Sequence, residues 1–182
     1  MRTENFNEAF FAQMREEEVW KKLSEDYITN FVWTEALLER YRDKVDWKLL
    51  SGSSYVLWTG SMLEKFKLSL DWDALSGNSS GILFTQENLR KYRKRWNWMK
   101  LSENGNVVWS VEMLEEFKDD IDWDAFAAGG YHYRSENEAK VSPQLIFEKY
   151  QSRFSASRFK DSHLWDTLLE CDKDELIKKI LA

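Results

Sequence analysis

The chain has 182 residues, a formal net charge of −6, and 32% charged and 43% hydrophobic residues. That is the balance of a soluble globular protein with room for one good-sized domain, and the negative charge argues against broad, non-specific nucleic-acid binding. One proline and seven glycines are too few for the turns of an all-β chain.

The first element, residues 6–32, is legible only through the copies that follow it. The clearest copy is Trp33–Ser51, WTEALLERYRDKVDWKLLS, and it recurs at Trp58–Ser76, Phe84–Ser102 and Trp109–Ala127. The leading aromatics Trp33, Trp58, Phe84 and Trp109 are 25, 26 and 25 residues apart, and Trp47, Trp72, Trp98 and Trp123 keep the same rhythm. A period of this size marks stacked-repeat proteins. In 6–32, Phe6, Phe10, Phe11, Met14, Trp20 and Ser24 stand at the offsets of Trp33, Leu37, Leu38, Tyr41, Trp47 and Ser51. This reads as a degenerate N-terminal capping repeat with a more polar outer face.

Full repeats occupy 33–57, 58–83, 84–108 and 109–128. In each, apolar residues at steps of four (Trp33, Leu37, Tyr41, Val45) form one face of a helix. Thr34, Thr59, Thr85 and Ser110 precede these runs and can cap the first free amides. The aromatic before each cap and the Leu four residues after the cap have hydrophobic-staple spacing. A second start follows at Asp46, Asp71, Asn97 and Asp122, each just before a tryptophan. The spacing therefore predicts a helix of about three turns plus a short helix per repeat. Residues 129–141, with glycine and many polar residues, read as an insertion loop, and 142–182 as a C-terminal helical cap opened by Ser142-Pro143. The expected fold is all-α: a single domain forming a short α-solenoid of right-handed type, with degenerate caps at both ends.

One segment carries a resemblance. Asn97-Trp98-Met99-Lys100-Leu101-Ser102-Glu103-Asn104 resembles the WNWxxLSxN unit of tandem-repeat proteins found in some bacteria and large DNA viruses. The resemblance covers roughly residues 6–127; it implies a repeat fold and brings no activity with it.

Catalytic groups are sparse. His132, His163 and Cys171 have no spacing that supports a metal site or an activated thiol. Acidic pairs such as Glu115-Glu116 and Asp119-Asp120 read as solvated helix surface rather than acid–base pairs, and no phosphate-cradling glycine loop is present. The expectation is a non-enzyme without cofactor or metal. The lone cysteine, the absence of a signal-like N-terminus and the absence of a long apolar run point to a cytoplasmic chain with no membrane partner.

Function is better sought where the copies differ. The third full repeat carries Arg90, Lys91, Arg93, Lys94, Arg95 and Lys100, whereas the fourth carries Glu115, Glu116, Asp119 and Asp120. Two readings stand open: a charge ladder between neighbouring repeats, or an anion site for a nucleic-acid backbone or an acidic partner surface. Trp96 with Tyr92, and Tyr131 and Tyr133 in the insertion, are the aromatics free of the repeat pattern or placed to help such a site. The favoured expectation is a protein-binding module, a small acidic inhibitor or immunity-type protein. It would cover the basic site of a larger nucleic-acid-handling partner, for example a CRISPR effector nuclease or a toxin. The alternative is an RNA- or DNA-binding adaptor using the basic third repeat.

Overall fold

The computed structural model describes residues 2–25, 31–130 and 141–181, and among these every regular element is helical. They fall into two compact units, Met1–Leu83 and Phe84–Ala182.

The first unit opens with α1 (Arg2–Glu25). Two helix pairs follow: α2 (Glu35–Arg40) with α3 (Trp47–Gly52), then α4 (Gly60–Phe66) with α5 (Trp72–Ser76). A 3₁₀ turn at Gly81–Leu83 ends it. The sequence-predicted caps are in place. Thr34 and Thr59 accept hydrogen bonds from the Leu37 and Met62 amides at 3.3 and 3.2 Å, and Asp71 Oδ1 accepts from Ala74 at 2.8 Å. Each donor is one that a helix start would otherwise leave without a partner.

The first helix of each pair is shorter than expected, at 6 and 7 residues in α2 and α4. A substitution of hydrogen bonds then separates the two helices of a pair. In a continuing helix the Asp46 amide would bond the Arg42 carbonyl. Instead that amide donates to Ser24 Oγ at 2.9 Å, and the carbonyl accepts from the Trp47 indole at 2.8 Å. The next copy repeats the exchange: the Asp71 amide goes to Ser51 Oγ at 3.0 Å, and the Lys67 carbonyl takes the Trp72 indole at 3.0 Å. The serine also donates back to its own helix, Ser51 Oγ reaching the Trp47 carbonyl at 2.6 Å. One hydroxyl thus closes one repeat and breaks the helix of the next. Aromatic contacts follow the same step, Trp20 on Tyr41 and Trp47 on Phe66, each with centroids 5.2 Å apart at 39°.

The N-terminal segment departs from the expected helix–turn–helix cap. It is one 24-residue helix, and only its second half keeps the repeat contacts, through Trp20 and Ser24. Val19 stands where the other copies have Asp or Asn, so no second cap exists. The Arg15-Glu16-Glu17-Glu18 run before it favours helix, and the chain does not turn. Phe10, Phe11 and Met14 are consequently exposed instead of buried, and the expected polar outer face is not what these residues present.

The second unit contains α6 (Gln86–Lys91), α7 (Trp98–Glu103), α8 (Val111–Phe117) and α9 (Trp123–Ala125), the last running into a π turn at Phe126–Gly130. After the segment outside the described residues come α10 (Pro143–Tyr150), a 3₁₀ turn at Gln151–Arg153, α11 (Ala156–Phe159) and α12 (His163–Leu181). The helix break recurs here: the Asp122 amide bonds Ser102 Oγ at 3.0 Å, and the Lys118 carbonyl takes the Trp123 indole at 2.9 Å. Trp98 stacks on Phe117 at 5.3 Å and 39°. The π turn carries the helical path through Gly130, two residues into the expected 129–141 loop. There Gly129 lies so close to α7 that an added Cβ would sit 3.1 Å from the Glu103 carbonyl oxygen.

The C-terminal segment docks by a variant of the same rule. Ser142 caps α10 through the Leu145 amide at 3.2 Å, with Pro143 in the first turn as predicted. Trp123 stacks on Tyr150 at 4.4 Å. Ala127 replaces the repeat serine, so the Asp124 carboxylate accepts the Ser155 amide instead, at 2.9 Å. The C-terminal cap ends in one long helix, α12, of 19 residues.

Candidate functional site

The charged residues of the second unit form a network around α8. Arg90 grips Glu116 with two bonds, Nε to Oε1 at 2.5 Å and Nη2 to Oε2 at 2.6 Å, while the Gln86 amide reaches Oε2 at 2.6 Å. Arg93 Nε donates to Asp120 at 2.7 Å. From the other side Arg153 pairs with Asp119 at 2.8 Å, and Lys149 with Glu115 at 3.4 Å. The Tyr150 hydroxyl donates to Glu115 at 2.7 Å. The α8 carboxylates are therefore flanked by cations from both the preceding repeat and the C-terminal segment.

Titration follows from these contacts. The Arg90 guanidinium holds the Glu116 carboxyl below its ordinary range, helped by Gln86. Glu115 is lowered as well, first by the Tyr150 hydroxyl and then by Lys149. Burial pushes the Tyr150 phenol well above its ordinary value, and the Glu115 charge adds to the effect. Glu116 and Asp120 raise Arg90 and Arg93 respectively through the same hydrogen bonds.

Of the sequence-predicted site residues, the ladder between the third and fourth repeats engages Arg90, Arg93, Glu116 and Asp120, whereas Glu115 and Asp119 are met by Lys149, Tyr150 and Arg153 of the C-terminal segment. Arg93 is the residue seen to meet Asp120. The Lys91 ammonium lies over the Tyr92 ring at 5.4 Å, and Arg95 and Lys100 also have partners. Lys94 is exposed and takes no partner among the described residues. Residues Arg90–Arg95 line a surface hollow of about 360 Å³. Its aromatics are not offered to a ligand: Tyr92 and Trp96 are both 5% exposed, and the Trp96 indole donates to the Asn88 carbonyl at 3.2 Å. They cannot stack on bases from this position, which corrects the role expected of them. Tyr131, Tyr133 and His132 lie outside the described residues.

A feature that sequence reasoning missed lies on the connectors. Those before Trp58 and Trp109 enter the next repeat extended, with side chains alternating in and out, whereas before Phe84 the 3₁₀ turn Gly81–Leu83 buries Leu83. Val56 and Trp58 are buried around Leu57, and Val107 and Trp109 around Val108; the outward residues are 60% and 48% exposed. Val32, before buried Trp33, holds the same repeat position and is 53% exposed. Phe31 and Tyr55 add exposed aromatic surface beside Val32 and Leu57 in the first unit. The signal was in the sequence as Phe-Val-Trp, Val-Leu-Trp and Val-Val-Trp, because successive residues of an extended segment cannot share one face. Three-ligand clusters of His, Cys, Asp or Glu suited to a metal are absent among the described residues, as is any helix long and apolar enough to cross a membrane. His163 opens α12, and Cys171, a free thiol, lies two turns along it, partly buried.

Comparison with protein-family models, curated proteins and solved structures finds no match.

Proposed function

We propose that the chain is a protein-binding repeat module that acts by covering a surface of another protein, without chemistry of its own. The observation that carries this is the outward apolar residue at one repeat position, Val32, Leu57 and Val108. A polar residue there would cost nothing in the core, whereas a branched apolar side chain in water is disfavoured unless a partner removes it from solvent. Within the first unit Val32 and Leu57 hold this position in adjacent copies, and a recurring face is the usual way repeat proteins engage a partner. In this reading the repeats make a short α-solenoid of right-handed type, supported by the recurrence of the serine exchange and the tryptophan contacts within each unit.

The net charge of −6 adds a preference for a basic partner surface, as on a nucleic-acid-handling protein, and so suits an inhibitor or immunity-type role in the cytoplasm. Direct nucleic-acid binding by the third repeat is the weaker reading: Arg90 and Arg93 are committed to carboxylates, and Trp96 and Tyr92 are buried.

Two measurements decide between them. Fluorescence titration with single-stranded RNA at low and at moderate salt is expected to show no binding of the free protein; tight, salt-steep binding would reverse the order of the two readings. Affinity capture from the native host should recover a partner that Leu57→Asp and Val108→Asp together release while the circular dichroism spectrum stays unchanged. Capture that ignores these substitutions removes the apolar edge from the interface.

A further inference from the structure

Helix α12 has two different halves. Its first half packs into the second unit through Leu164 and Leu168, which are 0% and 7% exposed. Beyond Cys171 every described residue is exposed, yet the sequence remains amphipathic: Leu169, Leu176 and Ile180 are 47%, 58% and 73% exposed. At 100° per residue, this row lies roughly 120° around the helix from the midpoint of Leu164 and Leu168. It faces away from the surface on which the helix rests.

Leu169, Lys173, Leu176 and Ile180 are separated by steps of four, three and four residues, the seam spacing of a helix that packs lengthwise on another. The charges beside that seam identify the partner. Asp172 and Lys179 border it on one side, one helical repeat apart, and neither takes an ion-pair partner among the described residues, whereas Lys173 and Lys178 pair internally with Glu170 and Glu175. A second copy of the same segment, laid antiparallel, brings Asp172 of each helix to Lys179 of the other. The same register sets Leu169 against Ile180, and Leu176 against the aliphatic stem of Lys173. A parallel pairing would instead stack Lys173 on its own copy, like charge on like.

We propose that the exposed half of α12 is a self-association surface, pairing antiparallel with the same segment of a second copy of this chain in a two-fold dimer. The contact is isologous, so each Asp172–Lys179 bridge forms twice and closes the assembly at two subunits.

Sedimentation velocity on the full chain across a concentration series at low salt tests this. The mass should double with rising concentration, and Ile180→Glu should hold the protein at monomer mass with unchanged circular dichroism. Lys179→Asp and Asp172→Lys should each weaken association by about tenfold or more, since each makes two repulsive contacts. The combined Asp172→Lys/Lys179→Asp variant should restore it. A monomer at every concentration would overturn the proposal and leave the row for a different partner. So would a dimer that ignores these substitutions but is lost with Met14→Glu, which would place the contact on α1. A double variant that fails to recover would overturn the antiparallel register.

Discussion

Ser51→Ala probes the contact on which the repeat geometry turns. The hydroxyl is fully buried, donates to the Trp47 carbonyl at 2.6 Å and accepts the Asp71 amide at 3.0 Å. Loss of the first bond is mild, because that carbonyl still has its helical donor. Loss of the second leaves the Asp71 amide without an acceptor, since the Lys67 carbonyl it would bond in a helix is occupied by the Trp72 indole. An orphaned amide costs about 1–3 kcal/mol and the lost hydrogen bond about 1 kcal/mol, so a total near 2–3 kcal/mol is expected. With a urea dependence of about 1–3 kcal/mol per molar, the unfolding midpoint followed by tryptophan fluorescence should fall by about 1 M. Exposed Ser54→Ala, three residues on, serves as the control and should not move it. Hydrogen exchange should show the Asp71 amide losing protection before its neighbours do. A midpoint within about 0.2 M of the parent, with the Asp71 amide still protected, would refute the exchange of hydrogen bonds as the cause of the helix break.

Other outcomes follow from the same contacts. Trp72→Ala removes a buried ring and its bond to Lys67, and should cost about 3–5 kcal/mol, read as a large drop in melting temperature. Trp109→Phe should be nearly neutral, because the Trp109 indole is buried without a partner among the described residues and the third repeat has Phe84 at that position; Trp123→Phe, which strips a bond from the Lys118 carbonyl, should cost about 1–2 kcal/mol more in chemical denaturation. Because the folded Glu116 carboxyl titrates below its ordinary value, its contribution is complete above about pH 4.3 and is lost as pH falls below that; Glu116→Gln should flatten this acid limb, most clearly at low salt. Tyr150 runs the other way, its raised phenol stabilising the fold below about pH 10 and ceasing to do so above, so Tyr150→Phe should flatten the alkaline limb of a melting-temperature profile.

The all-helical character and every described cap were legible because they depend on residues adjacent in sequence. Thr34 and the Leu37 amide that donates to it are three residues apart, and so are Asp71 and Ala74. The repeat serine was visible as a recurring letter, but its role was not, since its two partners lie on different repeats, four and twenty residues away. The single course of α1 was obscured by matching apolar offsets: Phe10, Phe11 and Met14 copy the pattern, while the one change at Val19 removes the cap that makes the pattern fold back. In the charged region the sequence pointed to the pairing of the third and fourth repeats but not to the register or to Lys149 and Arg153, because these depend on the turn after α6 and on where the C-terminal segment docks. The outward connector residues were overlooked because apolar letters invite assignment to a core.

Ala127 gives the array a direction and an end. Within each unit the junctions at Asp46, Asp71 and Asp122 use the same chemistry, a serine hydroxyl meeting the amide before the next tryptophan, so a duplicated segment inserted at one of them would find the partner it needs. At Ala127 that hydroxyl is gone, and the Asp124 carboxylate addresses Ser155 instead. An ordinary repeat placed after α9 would arrive with an amide that no group is set to receive. Copy number can therefore drift by recombination within the array, while the terminal segment stays tied to the one repeat written to accept it.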